Sequence, residues 1–240
     1  MLIYALTGAG KTTFCGTTVD CKHTSPSLLI DIGGGTSTLT GVEIDVVRPD
    51  SLNEFQDVYD YLRNENDKYK AVCLDGITGA QQEVSMPVVQ GIKEVDGSEE
   101  YPRLENVLPP KRQDWLRSHE HIRWILRAYR DLCIMHPKKR RIHVFVTALE
   151  KKDDARSLIL PQLPGVLGPE SGAYFDVLAR LSVEERETGD EFVYARRLLM
   201  EERNDADGMK QLAKRRWSDL KPVMWNPTVD KLMSKWKETR

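Results

Sequence analysis

Leu2-Ile3-Tyr4-Ala5-Leu6-Thr7-Gly8-Ala9-Gly10-Lys11-Thr12-Thr13 decides the fold of this 240-residue chain. Met1 to Tyr4 reads as a short buried strand, and the pattern turns helical from about Lys11. Between them, Ala5 to Thr12 fits the phosphate-binding pattern Gly-x-x-x-x-Gly-Lys-Thr, with Ala5 in place of the first glycine. Gly8 and Gly10 let successive backbone N–H groups turn inward around phosphate oxygens, and the helix that follows adds its positive end. Lys11 is expected to reach the β- and γ-phosphates of ATP, and the Thr12 hydroxyl to ligate Mg²⁺. Thr7, Ala9 and Thr13 complete the expected nucleotide-binding set. Ala5 is a mild departure, since a small side chain can occupy the start of the turn. The bland alternative is a chance glycine-rich loop. A strand on one side and a helix on the other are what phosphate binding requires.

Outward from the loop, Ser27 to Asp31 reads as a second strand and Val42 to Val47 as a third. Ser51 and Glu54 form a capping-box pattern, opening a helix with Leu52, Phe55, Val58 and Leu62 on one face. Tyr69 to Asp75 is a continuous apolar run ending in an acid, as buried parallel strands do. Downstream of a phosphate loop, Asp75 is expected to hold the Mg²⁺ shell with Thr12, directly or through water. Asp31-Ile32-Gly33-Gly34-Gly35-Thr36 resembles the phosphate loop of the actin and Hsp70 superfamily. That fold needs two large lobes and an earlier acidic phosphate motif, which this chain does not supply. The segment is therefore read as a turn that needs glycine freedom.

Gly91 to Gln113 reads as a long loop, and Asp114 as the start of a helix with Ile122, Ile125, Tyr129 and Leu132 in a stripe. Arg141 to Thr147 is a further buried strand, and Lys151 to Gly168 a second loop rich in Pro and Gly. Val177 to Val183 and Glu191 to Met200 read as an antiparallel extension. Thr228 to Trp236 reads as an amphipathic helix. Strands alternating with helices predict an α/β fold, a mainly parallel sheet with helices on both faces. The expected division is a domain over 1–217 and a tail over 218–240.

Composition excludes some classes. Four cysteines are too few and scattered for a disulfide framework, and Cys15, Cys21 and His23 match no common zinc spacing. A net charge of −2 argues against a constitutively basic nucleic-acid clamp. Lys138 to Arg141, and Lys210 with Lys214, Arg215 and Arg216, are nevertheless basic clusters. No apolar run approaches the roughly 20 residues of a membrane span. With no secretory leader pattern either, a cytoplasmic location without membrane partners is expected.

The order LIYALTGAGKTTF, LLIDIGGGTSTL, YKAVCLDGIT, QDWLRSHEHIRWILRAYRDL, RIHVFVTALEKKD and YARRLLMEERNDADGMKQLAKRRW resembles the phage RecA-like ATPases, specifically the Sak-four type of single-strand annealing proteins. The likeness spans residues 1 to 217. The phosphate loop and the acid-ended strand are generic; the Asp-Trp helix and the late Lys-x-Arg discriminate more. The resemblance implies a RecA-like P-loop core acting on single-stranded DNA in recombination or annealing, in a phage-infected bacterial host. It implies a homo-oligomer, ring or filament, with the ATP site shared between subunits and a single-strand-binding protein as a further partner. Lys214 and Arg216 match the pair that reaches a neighbour's γ-phosphate. Thr147 matches the polar sensor of that phosphate. The loops Gly91 to Gln113 and Lys151 to Gly168 fall where such proteins face DNA, so that Lys151, Lys152 and Arg156 would touch its phosphates. A mobile surface connection is the plain alternative for each loop.

One departure bears on turnover. RecA relatives carry a glutamate two residues after the second-strand aspartate, where it orients water; here that residue is Gly33. Glu43 or Asp45 is the expected substitute, and without one hydrolysis is slow or absent. Two alternatives follow: a nucleotide-binding assembly switch that does not hydrolyse, and a nucleotide or small-molecule kinase. With the first strand starting at residue 2, subunit linkage is expected to use other surfaces. The tail around Trp236 is a candidate, and its packing on its own core is the alternative.

Overall fold

The structure is a computed structural model and describes residues 1–90, 110–134, 141–188 and 191–237; it does not describe the side chains of 187, 188, 191, 236 and 237. Its centre is β1 (Leu2–Ala5), four residues with no exposed surface on either face. A strand that apolar belongs inside a parallel sheet. It lies between β5 (His143–Asp153) and β7 (Val177–Thr188), both parallel to it, with Leu2 level with Val146 and with Leu178. Beyond β5 come β4 (Ala71–Asp75), β2 (Ser27–Asp31) and β3 (Asp45–Val47), all parallel. Beyond β7 the sheet turns antiparallel through β8 (Glu191–Leu199) and β12 (Val223–Trp225).

Helices cover both faces. Phe14 of α1 (Lys11–Gly16) and Val229, Leu232 and Met233 of α7 (Val229–Lys237) share one core with Ile3, Leu29 and Cys73. Phe55 of α2 (Leu52–Asp60) and Ile122, Ile125 and Tyr129 of α5 (Arg112–Asp131) share the other with Tyr4, Ile30 and Leu74. Leu167 and Tyr174 of α6 (Leu167–Tyr174) join them. The alternation of Leu29 against Ile30 is the period-two pattern that feeds two cores from one strand. The expected α/β architecture is observed, and the tail helix packs its Val229, Leu232 and Met233 onto its own core. No helix among the described residues is long and apolar enough to cross a membrane.

Several expectations need correction. β7 is part of the parallel sheet, and the antiparallel extension begins only at β8. The chain reaches β7 through α6, a crossover that restores the strand direction of β1. Lys151 to Gly168 is no simple loop. β5 runs on to Asp153 and pairs with β6 (Leu158–Pro161), around a short 3₁₀ turn closed by Ser157 at φ 51°. The charged run hid the ribbon because its exposed end has no apolar alternation. α5 starts at Arg112, because the Asp114 carboxylate accepts from the Lys111 N–H at 2.7 Å and so stands inside the first turn. Glu54 completes its cap on the Asp50 N–H rather than on Ser51, whose Oγ accepts from the Glu54 N–H as expected. Of the Gly91 to Gln113 loop, residues 91–109 lie outside the described residues, as do 138–140 of the first basic cluster.

Candidate active site

The phosphate loop leaves the C-terminal end of β1 and closes with Gly8 at φ 79° and Gly10 at φ 100°, backbone that favours glycine. Thr7 and Gly8 are exposed, Ala9 is buried beneath them, and Thr13 is exposed on the first turn of α1. That helix is only six residues long, so its positive end is a smaller contributor than the N–H groups of the loop itself. The Lys11 ammonium folds back and donates to Leu6 O at 3.0 Å and Ala5 O at 3.2 Å. Burial pulls its pKa down, while Asp75 and then Glu150 pull it up. It is a half-buried cation held by carbonyls of its own loop.

Below it, Thr12 Oγ1 donates to Asp75 Oδ2 at 2.5 Å, and Thr147 Oγ1 donates to Asp75 Oδ1 at 2.5 Å. Thr147 Oγ1 in turn accepts the Gly76 N–H at 2.9 Å. Both oxygens of a nearly buried carboxylate are thus oriented by hydroxyls, through short charge-assisted bonds. Sheet order explains the meeting. β5 lies between β1 and β4, so Thr147 stands beside Asp75 while the loop arches over it. Gly35 closes the third side, since a Cβ there would stand 2.6 Å from Thr12 Oγ1 and 3.4 Å from Asp75 Oδ2. A hydroxyl and a carboxylate in one cradle are hard oxygen donors that fit Mg²⁺. Lys11, Thr12, Asp75 and Thr147 therefore come together as the sequence predicts. The Thr147 hydroxyl, however, is committed to Asp75 and Gly76.

The glycine-rich turn after β2 serves the same cradle. Asp31 is buried, accepts the Gly35 N–H at 3.0 Å and the Thr36 hydroxyl at 3.1 Å, and pairs with Arg48 at 3.0 Å. Its role is to shape the turn that brings Gly35 against Thr12. The substitutes expected for Gly33 are elsewhere. Asp45 is level with Leu28, three residues short of Asp31, and bonds to Lys68 and Tyr69. Parallel register thus excludes Asp45, while Glu43 is exposed and lies before β3 begins. Gly33 itself has room, because its added Cβ would meet Gly76 Cα only at 3.7 Å.

Lys214 and Arg216 are not near this cradle. β11 (Lys214–Arg215) pairs with the first residues of β7, level with Leu2, at the opposite end of β1. Lys214 Nζ donates to Gly172 O at 2.6 Å and Phe175 O at 3.3 Å, closing the end of α6. Arg216 pairs with Asp176 at 2.6 Å, with 62% and 45% of the side chains exposed. Lys151, Lys152 and Arg156 lie on the β5–β6 ribbon, all exposed, with Arg156 paired to Asp153 at 2.8 Å. Lys151 alone of the three lines a groove of about 700 Å³, with Trp115, Leu116, Arg112, Thr78 and Glu83.

Sequence reasoning missed two features. Glu150 and Arg180 form an ion pair at 2.7 Å, with 3% and 16% of their side chains exposed. Arg196 of β8 lies over the phosphate loop, its Nε donating to Ala9 O at 3.2 Å. Neither has a motif spacing; each is defined by strand pairing alone.

Comparison with known proteins agrees with the geometry. A family described as an AAA domain matches residues 1–209. The chain belongs to that AAA-domain family. It is accordingly an AAA-type P-loop ATPase domain, of mixed α/β architecture. Among solved structures, a prototypical ATPase from the type III secretion system of pathogenic bacteria is 18% identical, with a TM-score of 0.40. The alignment covers 75% of this chain and 51% of that one, so the chain spans about half the length of that ATPase. A search of curated proteins finds no match.

Proposed function

We propose that this AAA-domain protein is a Mg²⁺-dependent ATPase acting on single-stranded DNA as a homo-oligomer, in recombination or annealing. The observation that carries it is the Thr12–Asp75–Thr147 cradle beneath the Gly8–Lys11 loop. Loop N–H groups bind the phosphates, and Lys11 exchanges its carbonyl partners for phosphate oxygens. Thr12 and Asp75 hold Mg²⁺, which would supply neutralisation of phosphate charge when bound. Thr147 keeps Asp75 oriented by donating to it. Arg216 supports the oligomeric reading. Remote from its own cradle and more than half exposed, it is free to exchange Asp176 for a neighbour's γ-phosphate. Lys214, occupied at the end of α6, positions the strand that leads into Arg216.

The DNA reading is supported by the resemblance and by the groove beside α3 (Ile77–Ala80), directly after Asp75. It joins an aromatic face, Trp115, to the cations Arg112 and Lys151, the combination that single strands use for stacking and phosphate contact. The test is ATP turnover with and without single-stranded DNA. The expected result is stimulation that is lost in Lys11→Ala; turnover indifferent to DNA overturns this reading of the groove.

A second reading, a nucleotide-dependent assembly switch, is favoured by Gly33 and by the register that removes Asp45. Gly33→Glu separates the two. If turnover is slow for want of a carboxylate, it rises by at least about tenfold. A wild-type rate that the variant leaves unchanged indicates another base.

A further inference from the structure

Arg196 shares one face of β8 with Tyr194 and Phe192, because alternate strand residues point the same way. Contact with the phosphate loop fixes which face that is. Arg196 Nε donates to Ala9 O at 3.2 Å, and the guanidinium lies so close over Gly10 that an added Cβ would stand 2.3 Å from Nε. Its neighbour Arg197, facing the other way, is held by Glu184 at 2.6 Å. Among the described residues no carboxylate pairs with Arg196. The backbone there is fixed, however: the Arg196 N–H donates to Asn226 Oδ1 at 3.0 Å, and its carbonyl accepts the Asn226 N–H at 2.7 Å. Further along the face, Tyr194 is 79% exposed and Phe192 69% exposed. Exposed aromatics in a row with an arginine that no described carboxylate neutralises, beside a phosphate loop, suit an occupant that carries both a phosphate and a ring.

The sheet order says which part of a nucleotide this is. β4, with Asp75, and β8 lie on opposite sides of β1. A triphosphate whose terminal phosphate sits by Thr12 and Asp75 therefore runs its sugar and base toward β7 and β8. We propose that β8 is the sugar-and-base wall of the nucleotide pocket, with Arg196 binding an α-phosphate oxygen and Tyr194 stacking on the base. Two residues of strand separate them, roughly 7 Å, which suits a phosphate at one end and a ring at the other. The proposal rests on the P-loop reading above and adds a cis-acting cation on the side of the loop away from Mg²⁺.

The test is calorimetric titration with ATP, ADP and inorganic tripolyphosphate, all with Mg²⁺, on wild type, Arg196→Ala, Arg196→Lys, Tyr194→Ala and Lys11→Ala. Arg196→Ala is expected to weaken all three ligands by about tenfold, with Arg196→Lys recovering part of the loss. Tyr194→Ala is expected to weaken ATP and ADP by about tenfold and leave tripolyphosphate unchanged. ATP binding at wild-type affinity in both the Arg196 and Tyr194 variants, with Lys11→Ala impaired, overturns the wall. Equal loss of tripolyphosphate and ATP in Tyr194→Ala overturns the stacking role. Undiminished binding in Lys11→Ala sinks the P-loop reading itself, and the wall with it. Tyr194 is exposed enough that its variant remains a test if the Arg196 variants fold poorly.

Discussion

Two arginine–carboxylate pairs stand near the start of β7, Arg180 with Glu150 on the strand itself and Arg216 with Asp176 just before it, and their lengths are almost the same. Arg180–Glu150 measures 2.7 Å and Arg216–Asp176 measures 2.6 Å. Their surroundings differ. Glu150 is 3% exposed and close enough to Lys11 of the phosphate loop to raise its pKa, whereas Arg216 is 62% exposed at the far end of the sheet. A buried charge that loses its partner keeps its desolvation cost, while an exposed one is rehydrated. The first pair is structural. The second is reversible, and reversibility is what a trans-acting cation requires.

The largest expected effect separates the two ends of the sheet by function. Arg216→Ala should lower turnover on the order of 10³-fold if it serves a neighbour's site, with little change in stability. Lys11→Ala should be similarly inactive, for the opposite half of the shared site. Mixed, the two variants should recover activity at interfaces that join an intact loop to an intact Arg216. Mixed assemblies, verified by a labelled subunit, that stay inactive would return Arg216 to its own subunit.

Next in size is Arg180→Ala, which leaves Glu150 buried with an unpaired charge. It should cost about 3 kcal/mol in urea unfolding. The Arg216→Ala loss should stay below about 1 kcal/mol. Equal losses would break the comparison. Lys214→Ala falls between, at about 1–2 kcal/mol, because it removes a charged donor from the Gly172 carbonyl at the end of α6. An unfolding midpoint identical to wild type would show that Lys214 is not structural.

The smallest effect concerns the ribbon. Lys151→Ala should flatten the salt dependence of single-stranded DNA binding by about 0.7 in the log–log slope, and Lys152→Ala should not. Only Lys151 lines the groove with Trp115, since neighbouring strand residues face opposite ways. Identical slopes in all three proteins would remove the ribbon from the DNA site.

Legibility in the sequence followed the same divide. Gly8, Gly10, Lys11, Thr12 and Asp75 were readable because a phosphate loop and an acid-ended apolar strand write their chemistry into local spacing. The strands ending at Asp31 and Asp75 were readable because buried parallel strands are continuous apolar runs. The β5–β6 ribbon was not, since solvated charge looks like a loop. Glu150 with Arg180, and Arg196 over Ala9, depend on which strands become neighbours, and no local pattern records that. Asp45 failed as the substitute for Gly33 for the same reason, because register, not sequence distance, sets how far Asp45 lies from Asp31.

The central position of β1 also has a consequence in time. Its four residues are made long before their partners, since Leu2 pairs with Val146 on one side and Leu178 on the other. Thr12 meets Asp75 across 63 residues, and Asp75 meets Thr147 across 72. Contacts this distant close large loops before any reward is gained, so folding is slow for the chain's size. During synthesis Leu-Ile-Tyr-Ala waits with both edges open until Val146 and Leu178 have been made. A nascent chain at that stage carries a complete phosphate loop and no cradle beneath it. Its hazard is an unpaired apolar strand that other chains can join, and the remedy is speed or shelter, not added stability.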